Sequence, residues 1–176
     1  MIVGLALWWI STRGTDAGPL ALPDPGSSRA GAPVLPGQWL VTSVITGELN
    51  GDAPAVIDSV EQADASQSTG LVLRYAALPD EHVGLPGAIR GWPPEKYPLA
   101  PLRGYVVQPG HALHLAVGGA STTVGTYRVD AFTVRYHVGN EAFVATFKQG
   151  LEVRSTTHCQ VCREPGQLAG RIAPGS

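Results

Sequence analysis

The sequence predicts an all-β domain over residues 38–158, folded as a two-sheet antiparallel sandwich of about seven short strands. Apolar and polar residues alternate in short runs between residues 38 and 154, and no stretch there keeps the apolar repeat of an amphipathic helix. Turn signals separate these runs at regular spacing, which is typical of β-sandwiches. Two of the runs, residues 126–138 and 141–153, also fit one hairpin register on both faces.

Five candidate strands lie upstream of that hairpin. They are QWLVTSVIT (38–46), PAVIDSV (54–60), LVLRY (71–75), GYVV (104–107) and HALHLAV (111–117). Asn50 and Gly51 lie between the first two, and this dipeptide is a strong signal for a type I′ turn, so we expect those two strands to form a hairpin. In the third, Leu71, Leu73 and Tyr75 share one face, because side chains alternate along a strand.

A two-residue turn at Gly139 and Asn140 joins the last two segments. It pairs six apolar residues on one face, Tyr136 with Phe143, Val134 with Ala145 and Phe132 with Phe147. The opposite face carries a more polar set, His137, Arg135 and Thr133 against Ala142, Val144 and Thr146. One register satisfies both faces, as paired strands require. The pattern fails near Asp130 and Gly150, where we expect a β-bulge at Gly150 to restore it.

Residues 1–37 are predicted to lie outside the domain. Residues 1–13 hold the apolar run IVGLALWWI (2–10), which crosses only about half a bilayer, since a full span needs about 20 residues. We interpret it as the second half of a transmembrane signal anchor; a short apolar strand packed on the domain is the alternative. Residues 14–37 are rich in proline and glycine and predict an extended linker. This order predicts a single-pass protein of the cell membrane with its domain on the extracytoplasmic side.

The penultimate strand opens with Gly125, Thr126 and Tyr127, which resemble the tyrosine corner of immunoglobulin-like domains. Together with the segments TGELNGDAPAVIDSVEQ and PLRGYVVQPGHALHLAV, residues 38–153 resemble the extracytoplasmic immunoglobulin-like modules of membrane-anchored proteins from high-GC bacteria. The resemblance implies an immunoglobulin-like sandwich and a location outside the cytoplasm. It implies no particular activity, because function resides in sites and not in folds.

Charge and motif content argue against several classes of function. The chain of 176 residues has a formal net charge of −2 and no basic run, which argues against nucleic-acid binding. The G-x-S-x-G, H-E-x-x-H and P-loop signatures are absent, and the carboxylates are scattered along the chain. We therefore expect a non-catalytic protein that needs no cofactor.

The motif His158-Cys159-x-x-Cys162 holds the only two cysteines in the chain. Outside the cytoplasm we expect them to form a disulfide with each other, which would stop the end of the last strand from fraying. The alternative is a copper or zinc site made by these three residues and completed by a partner chain. Redox catalysis is disfavoured, because the Gly/Pro-rich segment after Cys162 cannot form the helix that lowers a thiol pKa. Residues 159–176 are predicted to hold the CxxC motif and a flexible C-terminal tail.

The longest irregular segment is residues 77–104, which exceed a normal connection between strands. Trp92 and Tyr97 either anchor it to the sandwich, which we favour because so long a loop needs apolar contacts, or form an exposed recognition surface. We expect a membrane-tethered binding or accessory module that contacts a protein or envelope partner through this loop. The candidate contact residues are His82, Arg90, Trp92 and Tyr97.

Overall fold

The computed structural model describes residues 18–20, 28–64, 68–79, 85 and 87–162, which form eleven β-strands and one short 3-10 helix, Gln160–Cys162. The strands are β1 (Ser28–Val34), β2 (Leu40–Glu48), β3 (Ala55–Gln62), β4 (Val72–Leu78), β5 (Ala88–Arg90), β6 (Val106–Val107), β7 (Ala112–Ala120), β8 (Gly125–Val129), β9 (Phe132–Val138), β10 (Glu141–Phe147) and β11 (Gln149–Ser155). The predicted all-β sandwich is confirmed, but the described residues form eleven strands where about seven were expected.

These strands form three sheets, with the orders β4-β7-β2-β5, β10-β9-β3-β6 and β1-β11-β8. All strand pairs are antiparallel except β1 with β11, which is parallel. Buried apolar residues from all three sheets meet in one main core, so the β4-β7-β2-β5 sheet is one layer and the other two sheets form the layer opposite. Gly119 of β7 marks a close approach between the layers, since a Cβ there would lie 2.8 Å from Leu151 and 3.0 Å from Val153.

The predicted register of the last hairpin is confirmed at every pair between β9 and β10. Beyond Phe132 and Phe147, however, both segments change sheet and continue as β8 and β11, so the two long strands of the prediction are each divided. Two residues separate Phe132 from Val129, whereas three separate Phe147 from Leu151, its counterpart. The extra residue lies in the second segment, as the expected bulge at Gly150 requires. A side chain at Gly150 would collide with the carbonyl oxygen of Val129.

The hairpin predicted at Asn50 and Gly51 is wrong. Strand β2 pairs with β5 and β7, whereas β3 pairs with β6 and β9 in the other layer. The chain crosses between layers here because Leu49 is fully buried and its N–H donates to the carbonyl of His111 at 2.8 Å. Gly51 still adopts the positive φ of 105° that the turn signal indicated, but the turn leads away from β2.

Part of the predicted linker, residues 14–37, belongs to the sandwich. Leu20 is fully buried, forms an antiparallel bridge with Leu49, and donates its N–H to Tyr136 Oη at 3.0 Å. Strand β1 pairs with β11 over its whole length and buries Ala32 and Val34. Proline-rich sequence fits an edge strand, because a proline facing away from the neighbouring strand costs no ladder bond. We call residues 18–20 the N-terminal strap.

Residues 1–13, for which the anchor is predicted, and the tail after Cys162 lie outside the described residues. Within the part of the chain that the structure describes, no helix has the length and apolar character needed to cross a bilayer.

The sandwich has two ends, which we name by their contents. The strap end carries residues 18–20, 49–50, 109–111 and 139–140, held together by hydrogen bonds from Asn50 N–H to Pro19 O and from Gly110 N–H to Leu49 O. The disulfide end carries residues 35–39, 90–92, 121–125 and 159–162. Strand β2 runs from the disulfide end at Leu40 to the strap end at Glu48.

Candidate interaction surface

The two cysteines lie at disulfide-bonding distance, with their Cα atoms 5.2 Å apart. Both are buried, at 7% exposure for Cys159 and 3% for Cys162. Cys162 is also fastened to the sandwich, because its Sγ lies 3.2 Å from Pro33 O and its carbonyl accepts from Gln38 Nε2 at 3.4 Å. The pair therefore sits as the predicted clip requires, closing the chain directly after β11.

The three proposed metal ligands differ in their exposure to solvent. His158 is exposed, and its backbone N–H donates to Thr156 Oγ1 at 3.2 Å. Cys159 and Cys162 are buried and bonded to each other, so binding copper or zinc would first require reduction of the pair. Among the described residues, no group of three or more His, Cys, Asp and Glu side chains is placed to hold a metal ion.

Residues 77–104 are not wholly irregular as predicted, because residues 77–78 end β4 and residues 88–90 form β5 at an edge of the β4-β7-β2-β5 sheet. Leu85 and residues 91–99 pack on the outer face of that sheet. There a second hydrophobic group forms, the outer cluster, made of Val41, Leu78, Leu85 and Ala116 with the half-buried Ile89, Trp92, Tyr97 and Leu99. Hydrogen bonds fasten the loop at several points. Ala77 and Ala100 exchange both backbone bonds, at 3.0 and 2.9 Å, and the N–H of Leu85 donates to Ser43 Oγ at 3.0 Å. Trp92 and Tyr97 thus hold the loop on the sheet, which is the arrangement we favoured from the sequence.

The Trp92 ring packs against Gly118 of β7, a strand position that has no side chain. A Cβ at Gly118 of β7 would lie 2.5 Å from Cε3 of the Trp92 ring and 3.3 Å from Cε3 of Trp39. The Trp92 and Trp39 rings are 6.1 Å apart and tilted by 43°. Gly118 therefore leaves room for two indoles to meet across the sheet.

The guanidinium of Arg74 completes this group. Arg74 lies on β4 directly opposite Gly118, and its Cζ lies 4.6 Å from the centre of the Trp39 ring, within cation–π distance. Arg74 is exposed, while Trp39 and Trp92 are half-buried. We call these three residues the Trp–Arg cluster. A planar cation on aromatic rings is suited to holding a partner side chain, and the three side chains include neither a nucleophile nor a general base.

Arg90 and the disulfide meet at one backbone oxygen. The carbonyl of Pro33 accepts from Arg90 Nε and from a second guanidinium nitrogen, both at 3.3 Å, and it also contacts Cys162 Sγ. Arg90 faces the same side of the sheet as Leu40 and ties β5 to β1, so its role here is structural. Of the four predicted contact residues, Arg90, Trp92 and Tyr97 thus make contacts within the domain, and His82 lies outside the described residues.

Trp39 and Arg74 were not predicted to belong to a site. Arg74 alternates with Leu73 and Tyr75, which pack against the main core, so its outward direction was readable from the strand pattern. Its neighbour was not readable, because Trp39 and Trp92 come from segments far apart in the chain. Only the sheet order brings them together across Gly118.

The predicted tyrosine corner is present at the disulfide end. Tyr127 Oη donates to the carbonyl of Thr123 at 3.2 Å, four residues upstream, as in immunoglobulin-like domains. Hydrogen bonding, first with Ser121 and then with Thr123, lowers the pKa of Tyr127. The contact braces the turn between β7 and β8, whose Val124 is 61% exposed.

The outer face of the opposite layer is polar and differs clearly from the Trp–Arg cluster. Arg135 of β9 pairs with Glu61 at 2.9 Å, and His137 Nδ1 lies 3.1 Å from Asp58. Tyr75 of β4 packs against the main core from the other layer, and burial and to a smaller extent the Glu61 carboxylate raise its pKa to about 12. This face supplies matched control positions for the experiments below.

No protein-family model matches the chain, and no curated protein matches it. Solved structures show distant likenesses. The ASH/PapD-like domain of human CEP192 (PapD-like domain 7) is 12% identical with a TM-score of 0.46, over 89% of this chain and 96% of that one. The VesB protease of Vibrio cholerae is 8% identical with a TM-score of 0.40, over 73% of this chain. A family 123 glycoside hydrolase from Clostridium perfringens is 9% identical with a TM-score of 0.35, over 73% of this chain.

The chain spans 31% of the protease and 23% of the glycoside hydrolase. Likenesses at these TM-scores support no inference about activity. The candidate surface therefore rests on the geometry of this chain alone.

Proposed function

We propose that this protein is a non-catalytic binding or accessory module, tethered to the cell membrane by its N-terminal apolar run and placed on the extracytoplasmic side. Its contact surface for a protein or envelope partner is the Trp–Arg cluster, which the 77–104 loop completes through Trp92. No cofactor is needed for this role.

The location is supported by two observations of different kinds. The apolar run at residues 2–10 ends in paired tryptophans, which favour the interface between membrane and water. The two cysteines lie at disulfide-bonding distance, and structural disulfides persist in oxidising compartments such as the periplasm and the cell exterior.

The observation that carries the proposed contact is the exposed Arg74 guanidinium stacked on Trp39, with Trp92 beside it. Tryptophan and arginine dominate interface hot spots, because they combine a large apolar area with directed hydrogen bonding. The cluster is already ordered by Gly118 and the outer cluster, so binding costs little additional side-chain entropy.

Site-specific photo-cross-linking in the native membrane tests the proposal. A photoreactive residue at position 74 is expected to give one discrete protein adduct, whereas the same residue at position 135 gives none. Arg135 is the matched control, since it is also an exposed arginine and lies on the outer face of the opposite layer.

Once the adduct is identified, Arg74→Ala is expected to weaken binding of that partner by about tenfold or more, as removal of a hot-spot arginine does. Arg135→Ala should leave the affinity within about twofold. Equal adducts at both positions, or an unchanged affinity for Arg74→Ala, would contradict the proposed contact surface.

A further inference from the structure

The N-terminal strap fixes where the chain enters the sandwich. Leu20 is fully buried, its N–H donates to Tyr136 Oη, and Pro19 O accepts from the N–H of Asn50. A Cβ at Gly18 would collide with Tyr136 and Phe143, so the strap lies tightly against the β9–β10 hairpin. The chain therefore enters the sandwich at the strap end.

The distance from the strap to the apolar run is short. From Ile10 to Gly18 the chain spans at most about 28 Å, even fully extended at ~3.5 Å per residue. The linker predicted from sequence was far longer, because it was counted to residue 37. With the strap packed on the sandwich, the segment that connects it to the apolar run is therefore much shorter than the predicted linker.

The Trp–Arg cluster lies at the other end. Trp39 directly precedes β2, which runs down the sandwich to Leu49 beside the strap. At ~3.3 Å per residue, Trp39 stands about 30 Å beyond the strap. The disulfide end carries the cluster and the Cys159–Cys162 clip together, since Arg90 and Cys162 share Pro33 O.

We infer that the strap orients the domain on the membrane, with the strap end toward the bilayer and the Trp–Arg cluster facing away from it, roughly 30–60 Å above the surface. At that height the cluster contacts an envelope protein that projects from the membrane, and it does not contact lipid. This inference rests on the proposed membrane tether.

Energy transfer to acceptor-labelled lipids tests the orientation. The chain carries a donor dye at Asn140→Cys, on the strap end, or at Thr122→Cys, on the disulfide end. Both positions are exposed loop residues, and the native cysteines are paired, so the new thiol takes the dye. On phosphatidylcholine vesicles, transfer from position 140 is expected to be at least twofold more efficient than from position 122. Equal or reversed efficiencies with the protein bound to vesicles would overturn the orientation.

A solution measurement separates this inference from the tether itself. A nitroxide at Ser11→Cys is expected to broaden amide resonances of residues 110 and 140 and to leave those of residues 122 and 160 sharp. Leu20→Ser should abolish this contrast, because the strap then loses its buried anchor. If the chain does not sediment with vesicles but the broadening pattern holds, the membrane tether is wrong and the role of the strap stands. Broadening at the disulfide end overturns the strap.

Discussion

The main core and the outer cluster lie on opposite faces of the same sheet, β4-β7-β2-β5, and they are built by different rules. The main core is filled from both layers by strand residues alternating inward, such as Leu115 and Phe132, which are fully buried. The outer cluster has strand residues on one side only, and a long irregular segment supplies the rest through Leu85 and Trp92. A core of the first kind defines the fold, whereas the second orders a loop.

This difference predicts two levels of stability. A face covered by interlocking strands opens only with global unfolding, while a loop held by a few apolar contacts and hydrogen bonds opens at lower cost. The Trp–Arg cluster borders the outer cluster. Its geometry therefore depends on the outer cluster, which is less stable than the main core. Substitutions in the main core should therefore cost more stability than substitutions in the outer cluster.

Phe132→Ala breaks the main core. Phe132 is fully buried and lies edge-on to Tyr75 at 6.0 Å, so the substitution leaves a cavity and is expected to cost about 3–5 kcal/mol of unfolding free energy. Denaturant unfolding measures it. Thr133→Ala, on the polar outer face, is the neighbouring control and should cost less than about 1 kcal/mol. A similar loss for both variants would contradict the assignment of the core.

Gly118→Val breaks the outer cluster without touching the main core. The added side chain displaces Trp92 and Trp39, and such overpacking costs about 1–3 kcal/mol. We expect faster proteolysis within residues 85–105 and altered tryptophan fluorescence, with the remaining sheet intact. Thr146→Val places the same side chain on the exposed opposite face as control. An unchanged proteolysis rate in Gly118→Val would show that Gly118 does not seat Trp92.

Cys159→Ser removes the clip at the disulfide end. The disulfide closes a very short loop, so its loss is expected to cost about 1–2 kcal/mol. Hydrogen exchange should accelerate at the end of β11 and leave the outer cluster unaffected. Reduced wild-type protein should behave in the same way. Stoichiometric zinc or copper binding by the reduced protein, lost in Cys159→Ser, would instead favour the metal hypothesis.

The smallest expected effect is a pH dependence of stability that arises from Tyr75 at the rim of the main core. Its pKa is raised from 10.0 to about 12, mainly by burial and secondarily by Glu61. Between pH 10 and about 12, Tyr75 therefore stays protonated in the folded state, whereas it is deprotonated in the unfolded chain. The stability that this contributes is complete below pH 10 and is lost as the pH rises toward about 12.

Ultraviolet titration of tyrosinate, with Tyr75→Phe to assign the signal, measures this pKa directly. Glu61→Gln is expected to lower it by the smaller part of the shift only, because burial is the larger cause. Asp58→Asn removes a carboxylate from the same strand and should leave it unchanged. Return of the pKa to its ordinary value in Glu61→Gln would contradict the dominance of burial.

Much of the fold was readable where apolar residues alternate. The β9–β10 register followed from six apolar residues that must share a face, and the misfit at Gly150 located the change of sheet. The hairpin at Asn50 was wrong because a turn signal describes four residues of backbone and not which strands pair afterwards. The linker was predicted too long, because a high content of proline and glycine hides single residues, such as Leu20, that are buried in the fold.

The candidate surface was only partly predictable. Trp92 and Tyr97 were expected to anchor the long loop, whereas Arg74 was not singled out, although its alternation with Leu73 and Tyr75 implies an outward side chain. Trp39, the common neighbour of Trp92 and Arg74, could not be found from the sequence, since its contact with Arg74 passes across β7 and depends on Gly118 having no side chain.

By itself, the sequence determined the fold class, the last hairpin with its register and the tyrosine corner, because each depends on local alternation or on residues close in the chain. Only the tertiary structure decided the order of the strands, the place of the strap and the meeting of Trp39, Trp92 and Arg74. Those features depend on which segments pack side by side across the two layers, and that choice is made by burial of the whole chain at once.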